Sequence, residues 1–235
     1  MASQVLKDIS WTVRAGERWH LQGYNGARFF IHVLFTAIQI CSATGSGKTT
    51  LTSLLTGAHP QSYTQQHLHL FGSPRKRIAT PTLSQLIGHT SPELAAAVPR
   101  RTGFTTSELV ATGFDGHFAF RRRTSEERTR IEHLLAQLDL TADKPVNELS
   151  PGDLACALLL RAIVSRPKLV LLDEAFSGMG KRQVEQATKL LRDESELGNE
   201  QAIVWIGHWE GECPWGINDG LRRIRLNGGH AEIIV

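Results

Sequence analysis

Two periodicities of apolar residues divide the chain. From Gln4 to Gln22 short alternating runs, "VLKDISWTV" and "ERWHLQ", predict two strands joined by the turn Arg14-Ala15-Gly16. Lys48 to Thr56 places Leu51, Leu54 and Leu55 at helical spacing and stops at Gly57, which predicts a helix with a glycine stop. Gln66 to Gly72 alternates as an edge strand does, with His67 and His69 on one face. Beyond Ser125, Ile131, Leu134, Leu135 and Leu138 share a helical face, and Thr124 with Glu127 has the spacing of a capping box. "KLVLLDE" (168–174) and "QAIVWIGH" (201–208) are continuous apolar runs ending in polar residues, the form of strands buried on both faces. Val184, Ala187, Leu190 and Leu191 mark an amphipathic helix between them, so strand, helix and strand predict a parallel α/β sheet.

Composition narrows this picture. With 235 residues and 41% apolar content the chain can bury the core of one domain. The net charge of +3 is mild, and the basic run Arg121-Arg122-Arg123 sits among polar residues as a solvated face, so nucleic acid is not an expected partner. Cys41, Cys156 and Cys213 are odd in number and lack metal-ligand spacing, which indicates neither a disulfide framework nor zinc and suits a reducing compartment. "MASQVLKDIS" has neither the apolar core nor the arginines of a targeting peptide. The greasy run Phe29 to Cys41 is shorter than the about 20 apolar residues of a membrane span and contains His32, Thr36 and Gln39. The expected setting is intracellular and cytoplasmic, with peripheral membrane or mitochondrial placement as alternatives.

Three short stretches carry chemistry. In "GSGKTT", Gly45 to Thr50, small residues let successive N–H groups face a phosphate. A following helix N-terminus adds its positive dipole end, Lys48 reaches the outer phosphates and Thr49 can ligate Mg²⁺. In "LLDE", Asp173 at the carboxyl end of a buried strand can hold the Mg²⁺ shell and Glu174 can polarise an attacking water; a strand that ends in acidic turn residues is the plainer alternative. In "LSPGD", Ser150 as N-cap, Pro151 at the first helical position and Asp153 three after the cap make a strong helix start, although any helix can begin so.

Taken in order, "GSGKTT", "LSPGD", "LVLLDE" and "IVWIGHWE" resemble the Walker A, signature, Walker B and switch-histidine segments of an ABC-type ATPase domain. "VLKDISWTVRAGERWHLQG", "LTSLLTGAHPQSY", "LHLFG", "IGHTSPEL" and "TGFDG" look like the second half of soluble tandem-ABC proteins of the molybdate-type and photorepair-related group. The resemblance implies an α/β P-loop NTPase fold of ABC type: a parallel core sheet, an antiparallel N-terminal β-subdomain and an inserted helical subdomain at about 93–160. It implies ATP and Mg²⁺ as cofactors. Gly23, Asn25, Gly26, Gly45, Ser46, Gly47, Lys48, Thr49 and Thr50 would contact nucleotide, Thr49 and Asp173 the metal, Glu174 would be the catalytic base and His208 the γ-phosphate sensor. Ser150 and Gly152 would touch ATP held by a second ABC domain, in a homodimer or a tandem pair, and a transporter role would require a separate membrane subunit. Departures from the pattern bear on hydrolysis. Pro151 and Asp153 replace the usual glycine and glutamine, and a carboxylate there is unfavourable unless it points away from the triphosphate. Ser91, Pro92 and Glu93 stand where a Q-loop glutamine is expected, and Gly180 where a D-loop aspartate usually is.

The phosphate loop itself is interrupted. Joining Gly26 to Ser46 gives "GYNGSGKTT", a complete G-x-x-x-x-G-K-[ST] with Gly23 first, whereas the chain as written puts Ser42 at that position. The expectation is that 27–45 is a non-native insertion: Ala27 to Thr44, with flanking bases, fits an unspliced intron that keeps the reading frame. A genuine inserted element is the rival. As written, "ERWHLQG" and "FTAIQICSA" compete for one strand position before Lys48. The function expected is ATP binding and hydrolysis that energises a transporter or drives a soluble switch, with a catalytically impaired or ATP-binding-only protein as the alternative.

Overall fold

The computed structural model describes residues 11–23, 47–64, 68–118, 121–198, 200–207, 210–227 and 230–234. In chain order the first elements are β1 (Arg18–Gly23), α1 (Gly47–Thr56), β2 (His69–Leu70), β3 (Ser73–Pro74), α2 (Thr80–Leu86) and β4 (Ile87–Thr90). Then follow α3 (Pro92–Ala97), α4 (Thr106–Ala111), α5 (Ser125–Gln137), α6 (Pro151–Ile163), β5 (Leu169–Asp173) and α7 (Lys181–Arg192). The last are α8 (Glu194–Leu197), β6 (Ala202–Gly207), β7 (Leu221–Asn227) and β8 (His230–Ile234). The chain divides into two compact units, Met1–Leu83 with Val204–Val235, and Ser84–Ile203.

In the first unit β1 lies between the later part of β6 and β7. It runs parallel to β7 from Arg18↔Leu221 to Gly23↔Leu226, and β8 closes antiparallel on β7. The turn before β1 is the one the sequence predicts: Gly16 takes a φ of 76° and the Glu17 N–H donates to the Arg14 carbonyl at 3.1 Å. Trp11 meets Trp19 edge to face at 5.4 Å, and the Arg222 guanidinium covers Trp19. Of the two runs that compete for one strand position, "RWHLQG" forms β1, and "FTAIQICSA" lies outside the described residues. The edge strand expected over Gln66–Gly72 is shorter than the alternation suggests. Phe71 (φ 52°) and Gly72 (φ 77°) are consecutive left-handed residues, which turn the chain back so that only His69 and Leu70 pair with β3. His67 lies outside the described residues.

In the second unit β4 and β5 pair in parallel from Ile87↔Leu169 to Thr90↔Leu172, and the Ala202 N–H donates to the Lys168 carbonyl, which starts β6 beside β5. Every residue of β5 and β6 is buried, as their unbroken apolar runs predict. α6 is the central helix: nine of its residues are buried, among them Cys156, Leu159, Leu160 and Ile163. Its close fit depends on glycine. A Cβ on Gly88 would stand 1.8 Å from the Ala162 carbonyl oxygen, and one on Gly113 2.0 Å from that of Arg161. α5 forms as predicted, with Thr124 and Glu127 closing a capping box and Ile131, Leu134 and Leu135 buried. A parallel core with a small antiparallel sheet and helices is the expected α/β architecture.

Candidate functional site

In the first unit the two ends of the proposed phosphate loop are in place. Gly23 closes β1 and Gly47 opens α1, so a strand leads in and a helix N-terminus leads out. Lys48, Thr49 and Thr50 form the first turn of that helix. Asn25, Gly26, Gly45 and Ser46 lie outside the described residues. The far end of α1 is firmly anchored. Leu54 and Leu55 are buried, the Ser62 hydroxyl donates to the Leu54 carbonyl at 2.8 Å, and Gly57 leaves the helix at a φ of 83°. Arg75, fully buried, donates to the Ile78 carbonyl at 2.7 Å, stacks on Tyr63 and fills the space a Cβ on Gly57 would need.

In the second unit β5 delivers Asp173 and Glu174. Asp173 is buried at 5% exposure. Glu174, half-buried, takes a φ of 49°, the left-handed region that costs a side-chain-bearing residue about 1–3 kcal/mol, and its carbonyl accepts the Ser177 N–H at 2.9 Å. Strain of this kind turns the chain sharply at the strand's end and holds the carboxylate on a tight corner.

The "LSPGD" stretch folds as its residues dictate. The Ser150 side chain accepts from the Asp153 N–H at 3.1 Å, and Pro151 occupies the first turn of α6. The Asp153 carboxylate is compensated: Lys144 Nζ lies 3.3 Å from one oxygen and Gln183 Nε2 donates to the other at 3.0 Å. The same Gln183 accepts the Gly180 N–H at 3.0 Å through Oε1, which a Cβ on Gly152 would approach to 2.4 Å. Asp153 is thus tied to Gly180 by one glutamine, which packs against Gly152. The residues of the other two departures also cap helices. The Ser91 side chain accepts the Leu94 N–H and starts α3 with Pro92 and Glu93 in its first turn, while Gly180 is the N-cap of α7. Lys144 and Gln183 carry no sequence signal for this role, since they stand far from Asp153 in the chain. His208 lies outside the described residues, just past the end of β6 at Gly207.

The expected solvated face at Arg121–Arg123 is half right. Arg121 and Arg122 are exposed, but the Arg123 side chain is only 10% exposed, drawn inward by Asp115. Among the described residues no group of three or more His, Cys, Asp or Glu side chains could hold a metal by itself, and no helix is long and apolar enough to cross a membrane.

Comparison with known proteins adds to this geometry. A family profile described as ABC transporter matches residues 35–177. The chain is 33% identical over 231 residues to an uncharacterized ABC transporter ATP-binding protein of Schizosaccharomyces pombe, covering 96% of this chain and 42% of that one. It is 29% identical over 220 residues to the ABC transporter ATP-binding protein ModF of Escherichia coli, covering 89% and 39%. The chain therefore spans less than half the length of these relatives. Among solved structures, the ATP binding subunit of an ABC transporter superposes with a TM-score of 0.66 at 16% identity, over 98% of this chain and 84% of that one. A dimeric ATP-binding cassette bound to ADP and Pi superposes with a TM-score of 0.63 at 17% identity, over 97% and 90%.

Proposed function

We propose, since this chain belongs to the ABC transporter family as one of its ATP-binding domains, that it binds Mg·ATP and hydrolyses it when paired with a second such domain. The observation that carries this reading is the end of β5, where a buried Asp173 is followed by Glu174 on a strained left-handed corner. A buried carboxylate beside a sharply turned one suits two roles, a metal-shell ligand and a base for water. Mg²⁺ would neutralise charge developing on the transferred phosphate, with Thr49 and Asp173 in its shell. Lys48 would hold the outer phosphates, and Gly23, Asn25, Gly26, Gly45, Ser46, Gly47 and Thr50 would line the loop. Glu174 would take the proton of the attacking water and His208 would sense the γ-phosphate. Ser150 and Gly152, at the capped N-terminus of α6, would contact ATP on the partner domain, and the bonds from Lys144 and Gln183 answer the objection to a carboxylate at Asp153. A homodimer or a tandem half supplies that partner, in the cytoplasm.

The output is either energy for transport through separate membrane subunits or an ATP-driven change passed to a soluble partner. Recovery of the protein with a membrane protein favours the first, and recovery in a soluble complex the second. A second reading has its own support: the loop interrupted between Gly23 and Gly47, together with Ser91 and Gly180 at positions that bear on hydrolysis, favours a domain that binds ATP weakly or turns it over poorly. Turnover compared with Glu174→Gln separates the two. The substitution keeps nucleotide binding and lowers kcat by about 100-fold or more if Glu174 is the base. Equal residual turnover in both proteins assigns the chain to the impaired reading.

A further inference from the structure

The helical part of the second unit contains a cavity of about 380 Å³ between α4 and α5, and no step of the ATP chemistry uses it. The volume falls within the about 300–1,000 Å³ of small-molecule sites. Phe104, Ala111 and Ile131, all buried, form its apolar wall.

The polar lining is divided between the two ends of the cavity. At the end where α4 finishes, Arg121 and Arg123 both bind Asp115, and Arg128 follows in the first turns of α5. At the end where α4 begins, the Ala142 carbonyl accepts the Ser107 N–H at 3.0 Å, and the neighbouring Asp143 lines the cavity with Arg101, with Glu108 of α4 and with Glu132 from further along α5. The two central arginines differ. Arg121 is satisfied by Asp115 at 2.8 Å and by Glu127. Arg123 is nine-tenths buried, with its Nη2 on Asp115 and its Nη1 without a hydrogen-bond partner. A buried guanidinium N–H left without an acceptor carries an uncompensated desolvation cost, which an oxyanion in the cavity would relieve. Arg128 is exposed and has no ion pair among the described residues.

We propose that this cavity binds a small organic carboxylate. Its acid group meets Arg123 and Arg128, its apolar body lies against Phe104, Ala111 and Ile131, and its far end carries a hydrogen-bond donor for Glu132 and Asp143. A carboxylate fits better than a phosphate, because a dianion would share the cavity with three acids, Glu108, Glu132 and Asp143.

The test is calorimetric titration of the full chain, without nucleotide, using 4-(aminomethyl)benzoate, its methyl ester and inorganic phosphate as probes. The carboxylate binds saturably, and the ester, Arg123→Gln and Arg128→Gln each weaken binding by about tenfold or more, the size of one charge-assisted hydrogen bond. Arg123 also holds Asp115, so the exposed Arg128→Gln decides the matter where Arg123→Gln does not fold. No saturable binding to the full chain overturns the proposal. So does equal affinity for the ester, unchanged affinity in folded Arg128→Gln, or phosphate binding as tightly as the carboxylate. A separate titration with a fluorescent ATP analogue reports the nucleotide site, so the two readings fail independently.

Discussion

At the residue scale, His89 gives the clearest consequence. It stands in β4, next to Gly88, whose missing side chain lets the strand approach the Ala162 carbonyl of α6. Burial, and secondarily the positive charge of Arg161, push its imidazole down to about 4. Arg161 is itself buried, donates to the Thr112 hydroxyl at 2.9 Å and stacks on Phe118. The folded protein therefore holds His89 neutral where the unfolded chain would already bind a proton. Its contribution is fully present above the unfolded value of about 6.5 and is lost as pH falls from there towards 4. Because His89 keeps part of its surface open, the expected loss is about 1–3 kcal/mol. Urea unfolding at pH 7.5 and pH 5, compared between the native chain and His89→Gln, measures it. The substituted chain should lose less stability over that interval, and parallel curves would remove His89 from the account.

At the element scale, α8 is only Glu194–Leu197, too short to persist without tertiary contacts, and it is held by side chains from elsewhere. Glu196, 8% exposed, accepts Arg130 and His133 of α5. Arg130 also donates to the Glu196 carbonyl at 2.8 Å, and Arg166 donates to the Ser195 carbonyl at 2.8 Å, so two cations sit at the helix's C-terminal end, where its dipole favours them. Glu196→Gln removes the anion and leaves Arg130, 17% exposed, without its charge partner. The pair lies between a surface and a buried ion pair, so the expected cost is about 2 kcal/mol, read as a lower urea midpoint with an unchanged slope. Arg130→Met should cost a similar amount. A loss near zero in both would show that neither the ion pair nor the carbonyl contact of Arg130 contributes, and would leave the Arg166 contacts to hold α8.

The same scale shows what a sequence reveals. β5, β6 and α5 were legible because burial on both faces leaves an unbroken apolar run, and a capping box is a local code. The edge strand expected over Gln66–Gly72 is too long because two left-handed residues end it after Leu70, and alternation carries no information about φ. The compensation of Asp153 by Lys144 and Gln183, and the inward turn of Arg123, depend on neighbours supplied by other elements. No local spacing encodes those.

At the scale of the whole molecule, the decisive question is whether 27–45 belongs to the working protein. A phosphate loop joins its strand to its helix in a few residues, and here β1 ends at Gly23 while α1 starts at Gly47. With Ala27 to Gly45 removed, "GYNGSGKTT" would connect those same two points with a complete loop sequence. β1 already holds its place beside β7 through Gly23↔Leu226, so the shorter chain asks nothing new of the sheet. The longer chain has to accommodate Phe29, Phe30, Ile31, Val33, Leu34, Phe35, Ile38 and Ile40 beside a site whose other face must stay open to the ligand. We therefore expect the chain as written to bind a fluorescent ATP analogue weakly or not at all. The chain lacking Ala27 to Gly45 should bind it at least about 100-fold more tightly, the difference between a broken and an intact set of phosphate contacts. Sequencing of the transcript across Gly26 to Ser46 provides an independent check, because messages that all retain these bases are incompatible with an unspliced intron. Equal affinities of the two chains would instead make 27–45 a working part of the domain and restore Ser42 as the start of its phosphate loop.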